Sequence, residues 1–117
     1  MTGASRPGAL TTHVLDTAAG RPAAGVRIEL WRLEPAPALI ATAVTNADGR
    51  TEAPLLPAAG FAPGVHELRF FIGDYFALPP PRFLDVVPVR VTLAEGLGHY
   101  HVPLLCSPWA YSTYRGS

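Results

Sequence analysis

Cysteine, net charge and long apolar runs are all scarce in this chain, and each scarcity excludes a class of function. One cysteine, Cys106, among 117 residues permits neither an internal disulfide nor a cysteine-built zinc site. At a strand position it reads as a small apolar filler. Charged residues make up 15% of the chain, and nine basic residues balance nine acidic ones. That neutrality removes the positive footprint that nucleic acid binding needs, and it argues against an anionic membrane surface as partner. No segment approaches the roughly 18 consecutive apolar residues of a membrane span, and the N-terminus shows no charged region leading into an apolar one. The expectation is a cytoplasmic protein with neither nucleic acid nor membrane as partner.

What is abundant points to an all-β fold. Apolar residues reach 49%, with 13 prolines and 11 glycines, a composition suited to short strands joined by many turns. The length suits one domain with a sizeable core. Residues 1–9 lack periodicity and read as a flexible tail, leaving residues 10–117 as the single domain. From Leu10 to Asp16 a strand places Thr11, His13 and Leu15 on one face and Thr12 and Val14 on the other. Val26 to Leu33 alternates cleanly, and Leu39 to Thr45 runs into the turn signal Asn46, Ala47, Asp48, Gly49, with Arg50 directly after it. Strands are also expected at Val65 to Ile72 and at Val86 to Leu93, where Pro88 suggests a sheet edge or a strand beginning. One helical turn is expected over Asp74 to Leu78, capped by Asp74 and ended by Pro79, Pro80 and Pro81. Seven or eight such strands imply an antiparallel sandwich.

The last nineteen residues carry the chemistry. Read with period two, His99, His101, Pro103 and Leu105 share one face of a strand, and Tyr100, Val102, Leu104 and Cys106 share the other. A fold back at Ser107 and Pro108 brings a second short strand, Trp109 to Tyr114, alongside it. His101, Ser112 and Tyr114 then lie on a polar sheet face opposite an apolar one.

These segments resemble a known family. Leu10, Thr11, Thr12, His13, Val14, Leu15, Asp16 and Thr17, with Gly20, Pro22 and Ala23, resemble the N-terminal signature of the transthyretin-like 5-hydroxyisourate hydrolases. His99 to Pro108 and the tetrapeptide Tyr114, Arg115, Gly116, Ser117 resemble their C-terminal signature, with Asp48, Gly49 and Arg50 between the two. The resemblance implies a transthyretin-like (prealbumin-like) β-sandwich of two four-stranded sheets with one short helix. It also implies a homotetramer, a dimer of dimers, with active sites in the channel where the dimers meet. The hormone-carrying transthyretins hold other residue types at the positions of His13, Arg50, His101 and Tyr114. Cys106, where the family usually has leucine, is a departure on the face opposite His101.

The implied reaction is ring opening of 5-hydroxyisourate, an oxidised purine, to 2-oxo-4-hydroxy-4-carboxy-5-ureidoimidazoline in urate catabolism. Such a hydrolysis needs an activated water, a polarised carbonyl and a nitrogen able to leave. Histidine, with an ordinary pKa of about 6.5, suits the first task. By resemblance His13, Arg50, His101 and Tyr114 are the catalytic set. His13 and His101 share the water, and their division of labour is open. Arg50 holds carbonyl oxygens through its planar fork. Tyr114 closes the pocket, and Ser117 joins His13, Arg50 and Tyr114 in contacting substrate. His99 and His66 are expected as rim and surface residues, Asp16 as an orienter of a turn or a histidine, and Arg115 as the partner of a neighbouring acid. A metal on His99 and His101 is the alternative that neutral imidazoles raise. No carboxylate motif completes such a site, and the resemblance implies neither metal nor cofactor. The other functional class is a carrier that binds a small aromatic ligand in the same channel.

Overall fold

The computed structural model describes residues 6–116. Eight strands form two four-stranded sheets. β1 (Arg6–Asp16), β2 (Arg21–Pro22), β7 (Leu97–Cys106) and β8 (Tyr111–Thr113) make one, in the order β2-β1-β7-β8. β3 (Arg27–Arg32), β4 (Ala38–Val44), β5 (Gly64–Phe70) and β6 (Val87–Leu93) make the other, in the order β4-β3-β5-β6. The sheets face each other across Leu10, Val14, Tyr100, Val102, Leu104 and Cys106 on one side and Ile28, Leu30, Leu68, Phe70, Val87 and Val89 on the other. Burial of these alternating side chains is the main force holding the layers together. Pro88 does lie on an edge strand, where its missing N–H breaks no inner ladder. Among the described residues no helix is long and apolar enough to cross a membrane.

Four features differ from the expectation. β1 begins at Arg6, inside the stretch read as tail, and Ala9 sits opposite His99. Pro7 and Gly8 hid that strand, and Gly8 lies so close to Phe61 that a Cβ there would meet its ring at 2.8 Å. The pairing is not wholly antiparallel, since β1 and β7 run parallel at the centre of their sheet. Alternation within a strand carries no information on its neighbour's direction. The helix α1 spans Ile72–Phe76, earlier than expected, with Phe71 as N-cap and no side-chain cap. Asp74 lies within its first turn and accepts a hydrogen bond from Arg82 Nη1 at 2.6 Å instead. The helix ends at Ala77, in the left-handed region with φ 54°, ahead of the three prolines. Finally, His66 is not a surface residue: it is fully buried on the inner face of β5 beside Leu68, and its Nδ1 is hydrogen-bonded to the Gly64 carbonyl at 3.0 Å.

Candidate active site

The parallel pair β1 and β7 is what assembles the site. Its register sets Thr11 opposite His101 and Ala9 opposite His99. Odd-numbered residues of both strands point away from the core, so Thr11, His13, His99 and His101 converge on the outer face. The even-numbered neighbours Leu10, Thr12, Tyr100 and Val102 are buried beneath them and fix the backbone. The side chains above form one chain of hydrogen bonds. His99 Nε2 lies 2.5 Å from Thr11 Oγ1, which lies 2.7 Å from His101 Nδ1. His101 Nε2 in turn lies 2.8 Å from His13 Nδ1. His101, only 8% exposed, thus has both ring nitrogens engaged, while His13 Nε2 has no hydrogen-bond partner among the described residues.

Arg50 reaches this group through a tight turn. Asn46 Oδ1 accepts from the N–H groups of Asp48 and Arg50 at 2.9 and 3.2 Å, and Gly49 supplies the positive φ of 72° that the turn requires. The Gly49 carbonyl accepts from the Val14 N–H at 2.8 Å, docking the turn on β1 and bringing Arg50 opposite His13. A Cβ on Gly49 would collide with the Val14 carbonyl, so the approach itself demands glycine. Arg27, Arg69, Arg82 and Arg90 each pair with a carboxylate. The Arg50 side chain has no such partner among the described residues.

The chain end forms another wall. The Gly116 N–H donates to the His101 carbonyl at 2.7 Å, and the glycine lies so close that a Cβ would meet His101 Cδ2 at 2.8 Å. The resulting open cleft, about 480 Å³, is lined by Thr11, His13, Arg50, His99, His101 and Tyr114, with Thr51 and Glu52 at its side. Burial lowers the pKa of His13, and the Arg50 charge lowers it further. His101 is lowered by burial first, then by His13, Arg50 and His99. Both shifts favour the neutral ring, the form that accepts a proton.

Of the residues singled out in the sequence, His13, Arg50, His101 and Tyr114 meet in this one cleft. Ser117 lies outside the described residues. Cys106 is buried on the opposite face, where burial and then Asp16 push its thiol up to about 11. Asp16 serves a turn, accepting from the Ala19 N–H and the Tyr75 hydroxyl at 2.9 and 2.8 Å. Arg115 pairs with no acid among the described residues. Its guanidinium lies 4.3 Å over the Tyr100 ring, where the π face replaces the expected carboxylate. Sequence reasoning missed Thr11, and it put His99 at the rim without its bond to Thr11. The signal available was their shared odd-numbered spacing with His13 and His101. Among the described residues no cluster of three or more His, Cys, Asp or Glu is arranged to hold a metal.

Comparison with known proteins places this geometry. The model of the HIUase/Transthyretin family matches residues 10–116. The chain is 58% identical to 5-hydroxyisourate hydrolase 2 of Rhizobium meliloti, over 97% of this chain and 99% of that one. The solved 5-hydroxyisourate hydrolase of Klebsiella pneumoniae superposes with a TM-score of 0.80 at 36% identity, covering 94% of this chain and 99% of that one. An (S)-allantoin synthase structure gives a TM-score of 0.88 at 46% identity over 97% of this chain, which spans 45% of that longer protein. The match runs through the strand that carries His13, the turn that carries Arg50 and the strand that carries His101, and the chain is thereby a member of the HIUase/Transthyretin family.

Proposed function

We propose that this protein is a 5-hydroxyisourate hydrolase, opening the oxidised purine ring to 2-oxo-4-hydroxy-4-carboxy-5-ureidoimidazoline. The observation that carries the reading is the hydrogen-bonded pair of imidazoles, both shifted toward the neutral form, facing a guanidinium that has no carboxylate partner among the described residues. His13 Nε2 is the base that takes a proton from water, being the nitrogen of the pair left without a partner among the described residues. His101 orients His13 through its Nε2, so that the tautomer of one ring sets that of the other. Arg50 binds and polarises the carbonyl oxygen through its planar fork, which stabilises the charge that grows as water adds. The water oxygen bonds to the carbonyl carbon, the ring C–N bond breaks, and the departing nitrogen takes a proton from His13. Tyr114 closes the cleft over the substrate, and Ser117 joins it, His13 and Arg50 in contacting the substrate. The mechanism calls on no cofactor and no metal.

The family description also names transthyretin, so a carrier of a small aromatic ligand is the second reading. A cleft lined by three histidines, two threonines and an arginine suits a polar heterocycle undergoing proton transfer better than a stored apolar ring. The test is to generate 5-hydroxyisourate in place from urate with a urate oxidase and follow its ultraviolet absorbance. The hydrolase reading predicts decay faster than the spontaneous rate at catalytic protein concentration. Unchanged decay with folded protein would favour the carrier.

The active form in this reading is a homotetramer built as a dimer of dimers, with the cleft in the channel between dimers. The open edges of β6 and β8 and the exposed Leu39, Ile40 and Val44 on β4 support an assembly through this sandwich's edges and faces. Sedimentation velocity checks it, and an active monomer would contradict it.

A further inference from the structure

His99 and Thr11 remain unused by the mechanism above, although both belong to the same run of hydrogen bonds. Thr11 Oγ1 has one proton to donate, and its two neighbours are both imidazole nitrogens. The hydroxyl uses its proton and also accepts only if it donates to one ring and receives from the other. The same holds between His101 Nε2 and His13 Nδ1, where a single proton occupies the bond. These constraints link the four groups into two directional states. In one, His13 Nδ1–H donates to His101, His101 Nδ1–H donates to Thr11, and the Thr11 hydroxyl donates to His99. His13 Nε2 then presents a bare lone pair to the cleft. In the other, every donor is reversed, and His13 Nε2 carries a proton. The first state is a base and the second an acid, with no net charge on any ring in either.

We infer that Thr11 and His99 form, with His101 and His13, a proton relay that switches His13 between base and acid and opens at His99. The inference rests on the hydrolase reading. When water gives its proton to His13 Nε2, the His13 Nδ1 proton moves to His101 Nε2. The His101 Nδ1 proton moves to Thr11, and the Thr11 proton moves to His99 Nε2. His99, which is exposed, releases its Nδ1 proton to solvent. Hydroxide is left to bond to the substrate carbonyl. The return transfer runs inward from solvent and delivers the His13 Nε2 proton to the departing nitrogen, so each turnover restores the first state. Such a route answers a specific electrostatic problem. Burial and Arg50 disfavour a positive charge on either inner ring, so a proton stored on His13 or His101 would be costly beside the Arg50 guanidinium. Passing it outward leaves both rings neutral. Thr11 is here a positioning residue, acting through the imidazoles on either side of it.

The test compares Thr11→Val, which keeps the shape and removes the hydroxyl, with Thr11→Ser, which keeps the hydroxyl. Thr11→Val is expected to lower kcat by about 10- to 100-fold with KM within about twofold, and Thr11→Ser to stay within about threefold of the parent. The rate in mixtures of light and heavy water is expected to curve for the parent, as for several protons in flight, and to be linear for Thr11→Val. His99→Ala is expected to regain rate on addition of imidazole, with no gain for the parent. Equal kcat for the parent and Thr11→Val, or equal losses in Thr11→Val and Thr11→Ser, would overturn the relay. Nitrogen-15 shifts of the histidine rings in the substrate-free protein give a readout that does not depend on turnover. Removing the Thr11 hydroxyl is expected to shift the tautomer balance of both His101 and His13, and identical spectra would overturn the relay. If the parent protein fails to accelerate 5-hydroxyisourate decay while those shifts still respond, the hydrolase reading fails and the hydrogen-bonded chain stands.

Discussion

Replacing Gly116 by alanine adds one methyl group at the place where its backbone rests on the His101 ring. The new Cβ would lie 2.8 Å from His101 Cδ2 and 3.4 Å from its Cβ and Cγ. Carbon atoms pack at about 3.5–4.0 Å, so one side must yield by about 0.7 Å or more. His101 is pinned by bonds of 2.7 Å to Thr11 and 2.8 Å to His13, and a shift of that size stretches them beyond the range of about 3.2 Å in which such bonds are strong. If the chain end moves instead, the Gly116 to His101 backbone bond of 2.7 Å is lost and Tyr114 leaves the cleft wall. Misplacement of about 1 Å costs on the order of 100-fold in rate, so we expect kcat to fall about 10- to 100-fold. Stability should change little. One backbone bond near the chain end is worth about 1 kcal/mol, or roughly 5 °C in Tm at this size. The assay is the initial rate of 5-hydroxyisourate decay beside a thermal melt of the same sample. Wild-type kcat in Gly116→Ala would refute the reasoning, because it would mean that the placement of the His101 ring does not govern the rate.

Other consequences are open to measurement. Activity should hold down to acidic pH: burial and Arg50 depress both imidazole pKa values, so His13 and His101 stay neutral below the ordinary value of about 6.5 and rate is lost only as pH falls through the lowered values. The charged and titratable groups facing them in the cleft are Arg50, His99, Glu52 and Tyr114, and Arg50→Gln should move the acid limb of kcat/KM upward. An acid limb above 6.5 in the parent would contradict the assignment. Arg50→Lys keeps the charge but loses the planar fork, and kcat/KM should drop about 10- to 100-fold; a change under threefold would make Arg50 a plain point charge. Leu104→Ala empties a fully buried site under the β1 and β7 pair and should cost about 2–5 kcal/mol in urea unfolding at fixed protein concentration. A cost under about 1 kcal/mol would show that the core is not packed as described.

The strands with strict alternation were legible from residues alone, because a half-buried sheet writes its two faces into the chain. Val87, Val89 and Leu93, and likewise Tyr100, Val102 and Leu104, do point inward as their period demands. Within β1 and β7 the same period put His13 and His101 on faces that turn out to be common. Their meeting depends on the parallel register that sets Thr11 opposite His101, which no local pattern encodes. Arg50 was nameable only through the resemblance, since a turn residue says nothing about where the turn docks. The bond from the Val14 N–H to the Gly49 carbonyl supplies that information. His66 was misread because a histidine on a strand was taken as polar surface, although its period matches Leu68 and Phe70. The early start of β1 and the shifted α1 share another cause. Packing against Phe61, and the Arg82 contact that holds Asp74, outweighed the local preferences of Pro7, Gly8 and Asp74.

The central claim is that His13 is the base that activates water in this cleft. Its most direct test is the turnover of freshly generated 5-hydroxyisourate by His13→Ala beside the parent protein, each checked by circular dichroism for an intact sandwich. The account predicts rapid decay with the parent and the spontaneous rate with the folded variant. A folded His13→Ala that turns over substrate at the parent rate would contradict it.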